Sequence, residues 1–340
     1  MRFEAVPVDQ AEGHILGHNI AGGDGRRVLR KGRAISADDI GLLQALGRRK
    51  VYVALIMPDD IDENAAAERV AQNVAGQGIR LSSAATGRVN MFASSIGLLR
   101  VEVSRLTALN NFQGITLATL PRNTAVPAGK AVATLKIIPY ALPKTVVDQI
   151  EDIAAENPII YLTPLAPKRV GLILSGSPAV EERVTAGFQT ALAARLQKLH
   201  SNIERVDYVP LEDESGERQL ADVILAYVTQ GIEMIILAGE TAIMDRYDIT
   251  PRAVERAGGQ VTCFGAPVDP GNLLMLAYLD EVSIVGAPGC VRSPKTNIID
   301  MVLPRLLAGD RLTQADIVAL AHGGLLEDVP ERPLPRSHLS

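Results

Sequence analysis

Of three short stretches that gather chemistry-bearing residues, the first and third are suited to holding an anion and the second could hold a cation. Ser175-Gly176-Ser177-Pro178 puts small residues at a turn from strand to helix. There, backbone amides can approach a phosphate closely and the helix directs its positive end at it. The same stretch would equally serve as an ordinary helix cap. A second stretch opens with Gly239, Glu240 and Thr241 and carries Asp245 and Asp248 just before Thr250-Pro251. In a helical turn this spacing lets both carboxylates face one point and hold a hard cation such as magnesium, although acids there also simply favour a helix start. Thr250 is read as the cap and Pro251 as the first helical residue. The third stretch, Pro288-Gly289 with Arg292, Ser293 and Lys295, has Ser293 as cap and Pro294 at the first helical position. Arg292 offers a guanidinium fork, and Lys295 a point charge, to a phosphate or carboxylate.

The elements that must position these residues follow from the apolar pattern. From residue 169 onward, strands at 170–174, 203–209, 234–238, 261–264 and 282–286 alternate with helical stretches at 180–199, 216–230 and 250–257. A further short strand at 273–279 precedes the last of them, and a helix at 293–307 follows it. Strand, helix, strand in this order requires crossover connections, hence an α/β domain with a doubly wound, mainly parallel sheet. Ligands in such sheets sit outside the carboxyl ends of the strands, which are where the three loops fall. Residues 1–164 read as a mixed α+β region of one or two small subdomains, 165–312 as the α/β domain, and 313–340 as a loose tail rich in proline. In the front region Ser36-Ala37-Asp38-Asp39 has the spacing of a capping box, Asp62 caps an Ala-rich helix, and residues 97–103 read as a strand.

Composition narrows the class. Lys and Arg number 34 against 39 Asp and Glu, a formal net charge of -5, so the basic field of a general nucleic-acid or anionic-membrane binder is missing. Charges at Arg2 and Glu4 break the apolar stretch a signal peptide would need, and no apolar run reaches the roughly 18 residues of a membrane span, so a cytoplasmic protein is expected. Cys263 and Cys290 are too few for a disulfide framework or a zinc site, and Cys290 reads as a packed small residue.

Taken together, residues 170–309 resemble the molybdopterin-binding domain shared by molybdopterin adenylyltransferases, molybdopterin molybdotransferases and gephyrin. Three segments carry the resemblance in the right order: Tyr247-Asp248 leading into Thr250-Pro251, residues 265–271, and Gly286-Ala287-Pro288-Gly289 followed by Ser293 and an apolar helix to Pro304. The opening Val6-Pro7-Val8-Asp9-Gln10-Ala11-Glu12-Gly13 also resembles the start of molybdotransferases, while the rest of the front diverges from them. The resemblance implies binding of molybdopterin or adenylylated molybdopterin, with Asp248 matching the family's catalytic acid, and with magnesium and molybdate as a metal and a substrate. It also implies a homodimer and handover to a molybdoenzyme or another cofactor-biosynthesis protein.

Departures from the family pattern bear on the chemistry. The family's Thr-Gly-Asp-Glu loop is here Ser175-Gly176-Ser177-Pro178 without either acid, its Gly-Gly pair is Ala238-Gly239 followed by Glu240, and its Lys-Pro-Gly-Lys-Pro turn is Asp269-Pro270-Gly271-Asn272. Two functions therefore stand side by side: an enzyme transferring molybdate to the pterin, with Asp248 and Asp245 holding the metal, and a non-catalytic carrier or insertion aid for the cofactor.

Overall fold

The computed structural model describes residues 1–211 and 214–326. The chain forms two compact units, Met1–Thr163 and Pro164–Ser340. In the first, strand Arg2–Pro7 pairs antiparallel with Lys50–Leu55, and helix Ala37–Ala45 closes a small core of Val8, Leu16, Ile35, Leu43 and Val53. Ser36 and Asp39 make the reciprocal capping box that their spacing predicts. The remainder of this unit has its own core, in which helices Glu63–Val74 and Lys144–Ala154 bury Val70, Val74, Val147 and Ile150 beside a four-stranded antiparallel sheet. The strand expected at 97–103 ends at Val101, and helix Val103–Asn110 begins in its place. Only Leu109 of that helix is fully buried, so its sequence shows no broad apolar face.

The second unit is built on a six-stranded sheet. Arg169–Gly176 lies between Asn202–Pro210 and Met234–Gly239, and Val282–Gly286 continues on the far side, all four parallel. Met275–Leu279 then runs antiparallel to both Val282–Gly286 and the outer strand Gln260–Phe264. The inner strands are apolar on both faces, as covered strands must be. Ile173, Ile235, Leu237 and Ile284 pack with Leu220, Ile224, Ala253 and Val254 of helices Glu214–Thr229 and Ile249–Arg256. The alternate residues Leu172, Leu174, Ile236 and Val285 are equally buried and project to the opposite face by the two-residue period of a strand. Gly171 is required here because a Cβ would lie 2.3 Å from ring carbons of Tyr227.

Two helix starts differ from their expected positions. The helix expected from Thr250 runs Ile249–Arg256 and is capped by Asp248, whose Oδ1 accepts from the Ile249 N–H at 2.8 Å. The helix expected from Ser293 runs Ile298–Leu307 and is capped by Asn297, which forms a capping box with Asp300. A Ser-Pro pair suits a cap, but the Asn297 to Asp300 box satisfies two donors reciprocally and prevails. Residues expected in a loose tail include helix Gln314–Val318, with Ile317 buried and a third capping box from Thr313 to Asp316. Pro330, Pro333 and Pro335, the basis for that expectation, lie outside the described residues.

Candidate functional site

Because Arg169–Gly176, Met234–Gly239 and Val282–Gly286 are parallel and adjacent, their carboxyl ends lie along one edge of the sheet. Ser175 is in register with Gly239, and Leu237 with Gly286, so the three loops leave side by side. The first and third are separated by the central strand, roughly 10 Å at two strand spacings.

The first two loops are tied by Glu240. Its Oε2 accepts from the Ser177 N–H at 2.9 Å and the Ser177 hydroxyl at 3.0 Å, and its own N–H donates to the Ser175 carbonyl at 2.8 Å. The Ser177 amide, then its hydroxyl, hold the Glu240 carboxyl below the usual carboxylate range. Glu240, which the sequence offers as a ligand-binding residue, has its carboxylate on the donors that an incoming anion would use. The Tyr208 hydroxyl donates to the Ser177 carbonyl at 2.8 Å from the other side. Gly176 has φ +155, and a Cβ there would come within 2.6 Å of Glu240 Cβ. Gly239 is equally constrained, since its Cβ would meet Ser175 Oγ at 2.7 Å. Thr241 follows, exposed. Past Ser177 a 3-10 turn, Pro178–Val180, precedes helix Glu181–Lys198, which begins one residue after the expected 180.

In the second loop the two acids shape the chain. Asp248 Oδ2 accepts from the Met244 N–H at 3.2 Å while Oδ1 caps the helix, and Asp245 Oδ1 accepts from the Tyr247 N–H at 2.8 Å. With three of their four oxygens engaged by backbone donors, the pair does not fit a ready hard-cation site, which needs several free oxygen ligands. Among the described residues no group of three or more His, Cys, Asp or Glu could hold a metal ion. The loop is anchored from below: buried Glu217 binds Arg256 through Oε1 at 2.7 Å and also pairs with Arg252, both on the helix that Asp248 caps. Met244 and Tyr247 stand 68% and 80% exposed on this loop, an apolar pair beside the strand ends. Gly286 leaves room for Ile243, whose Cδ1 would lie 2.8 Å from a Cβ, so the second loop closes over the end of the third strand.

The third loop turns through a 3-10 segment, Gly289–Arg292, that Pro288 leads into. Arg292 Nε donates to the Gly289 carbonyl at 3.2 Å, and its guanidinium lies 5.2 Å from the Phe188 ring centroid. Phe188 is seven residues past the start of helix Glu181–Lys198, roughly 10 Å along the axis. Arg292 and Ser177 therefore cannot grip one phosphate, though they can bracket a longer ligand. Ser293 Oγ accepts from the Lys295 N–H at 3.2 Å, and the Lys295 side chain is exposed. Neither Arg292 nor Lys295 has an acidic partner within ion-pair distance among the described residues. Burial pushes the Cys290 thiol up, as suits a packed small residue.

Arg195 is the residue that motif reading missed. Only 11% exposed, it donates from Nη1 to the Val291 carbonyl at 2.9 Å and from Nη2 to the Ser293 and Lys295 carbonyls at 2.8 and 3.1 Å, while pairing with Asp300 at 3.0 Å. One guanidinium thus fixes the path of the third loop. Its sequence position inside a long helix carries no motif, and only the tertiary fold brings it to the loop.

A family model described as "Domain of unknown function (DUF8806)" matches residues 5–55, which correspond to the small antiparallel module at the front. No curated protein matches the chain. Among solved structures, the chain is similar to a molybdenum cofactor biosynthesis protein from Pyrococcus furiosus at 12% identity and TM-score 0.26, covering 90% of this chain and 63% of that one. It is also similar to the molybdopterin biosynthesis enzyme MoaB from Thermus thermophilus at 16% identity and TM-score 0.30, with 42% of this chain and 98% of that one covered. A third similarity is to the molybdopterin biosynthesis MoeA protein from Pyrococcus horikoshii, at 10% identity and TM-score 0.28, covering 94% and 75% respectively. No helix among the described residues is long and apolar enough to cross a membrane.

Proposed function

We propose that the second unit binds molybdopterin or adenylylated molybdopterin along the edge formed by Ser175, Gly239 and Gly286, and that the protein serves molybdenum-cofactor biosynthesis. The observation that carries this reading is the spacing of the loops. Small residues at the first, an exposed aromatic and thioether at the second, and acid-free Arg292 and Lys295 at the third lie along one edge. A planar ring against Tyr247 and Met244, with its phosphate at Arg292 and Lys295, uses the second and third loops, and the small residues of the first leave the edge beside them open. The sequence resemblance of residues 170–309 supports the same ligand.

Carriage of the cofactor is favoured over molybdate transfer, because both oxygens of Asp248 are committed to backbone N–H groups. Transfer remains the second reading, supported by the match of Asp248 to the family's acid, with magnesium and molybdate supplied together with the pterin. A homodimer and handover to a molybdoenzyme belong to the same proposal. Calorimetry with purified molybdopterin and its adenylylated form tests it, followed by a molybdate insertion assay. Binding without insertion is expected, and failure to bind either pterin would overturn the reading. Arg292→Ala should weaken binding by about 1.5–3 kcal/mol, the range for a charge-assisted bond; unchanged affinity would remove Arg292 from the site.

A further inference from the structure

A cavity of about 1380 Å³ in the first unit lies between its small front module and the body that follows. That exceeds the roughly 300–1,000 Å³ typical of small-molecule sites, so a ligand of nucleotide size fits with room for water. Its lining includes the turn Arg30-Lys31-Gly32-Arg33 together with Lys136 and Tyr140. The turn is held in place. Gly32 sits at φ +83 with its missing Cβ only 3.3 Å from the Tyr140 ring, and the Tyr140 hydroxyl donates to the Gly17 carbonyl at 3.0 Å.

The charges on these walls do not cancel. Arg33 is taken by Asp39 at 2.8 Å, and Lys136 lies 3.5 Å from Glu63 while also donating to the Ile137 carbonyl. The Met1 ammonium is taken by Asp60 at 2.6 Å. Arg30 and Lys31 are left facing the cavity with no carboxylate within ion-pair distance among the described residues. Beside them the lining is apolar, and two of its members are unusually open for their type: Phe3 is 44% and Ile138 60% exposed. A fork and a point charge on adjacent residues suit a dianionic phosphoryl group, and an exposed Phe and Ile suit a flat apolar body.

We propose that this cavity binds an organic phosphate, a phosphate monoester carried on a ring, with the phosphate on Arg30 and Lys31 and the ring against Phe3 and Ile138. The site belongs to the first unit and is independent of the pterin reading of the second. Calorimetry on the full-length protein with adenosine 5′-monophosphate, with adenosine and inorganic phosphate as controls, tests it. The monophosphate should bind, and each control should bind at least about tenfold more weakly. Arg30→Ala together with Lys31→Ala should weaken monophosphate binding by about tenfold or more, with an unchanged thermal melt since both side chains are exposed. Ile138→Asp should weaken it as well, whereas Arg292→Ala should not. The proposal is overturned if the monophosphate does not bind, if inorganic phosphate binds equally well, or if affinity follows Arg292 rather than Arg30 and Lys31.

Discussion

Glu240 changes what the first loop can do. An anion approaching Ser177 meets a carboxylate already bonded to the amide and hydroxyl it would use. Replacing Glu240 with Ala should therefore raise the affinity for inorganic phosphate, read by calorimetry, by several-fold, on the scale of one exchanged hydrogen bond. Equal affinity in the variant would show that the loop is a structural turn. Because its folded carboxyl lies below the ordinary 4.5, the bond to Ser177 is fully present above that value and is lost only as pH falls through the lower folded one. The block therefore persists at neutral pH. Asp248 invites the opposite test. As a cap, its replacement by Ala should lower stability by about 1 kcal/mol in urea melts and leave pterin affinity unchanged. A variant of wild-type stability that has lost molybdate insertion would restore the acid to a catalytic role.

At the level of elements, Gly171→Ala places a methyl 2.3 Å from the Tyr227 ring and should destabilise the second unit by about 1–3 kcal/mol. Adding Tyr227→Leu should recover part of that loss, and no recovery would locate the strain elsewhere. The case also shows what the sequence makes legible. The strands and helices of the second unit are visible because their apolar runs and amphipathic periods are long. Helix Val103–Asn110 is not, since it buries so few side chains. Of the candidate site, the three loops can be read from small residues and prolines at strand ends. Arg195 and the capture of Ser177 by Glu240 cannot, because each joins residues far apart in sequence, 105 positions for Arg195 with Asp300 and 63 for Ser177 with Glu240. The misplaced start at Ser293 has a local cause: two capping signals stand four residues apart, and side-chain bonding to Asp300 decides between them.

For the molecule as a whole, strong acid should loosen the attachment of helix Gln314–Val318. Burial raises the Asp316 carboxyl, but bonds from Arg305 and Thr313 outweigh it and bring the group to about 2 from an ordinary 3.8. A depressed carboxyl stabilises the folded chain above its unfolded value. Roughly 2 kcal/mol should therefore be present at neutral pH and be lost as pH falls from 3.8 towards 2. Arg305→Met should flatten that acid limb in pH-dependent urea melts, and an unaltered limb would assign it to other carboxylates.

Among the described residues, the outer strand Asn202–Pro210 ends the six-stranded sheet and pairs on one side only. An open strand edge is a template on which a second chain can add, but this one carries charge along its length. Glu204 pairs with Arg169 at 2.9 Å and Arg205 with Asp207 at 2.6 Å. A strand arriving from another copy would have to crowd both pairs and strip their water. The charge on this border therefore works against edge-to-edge growth of the sheet into fibres.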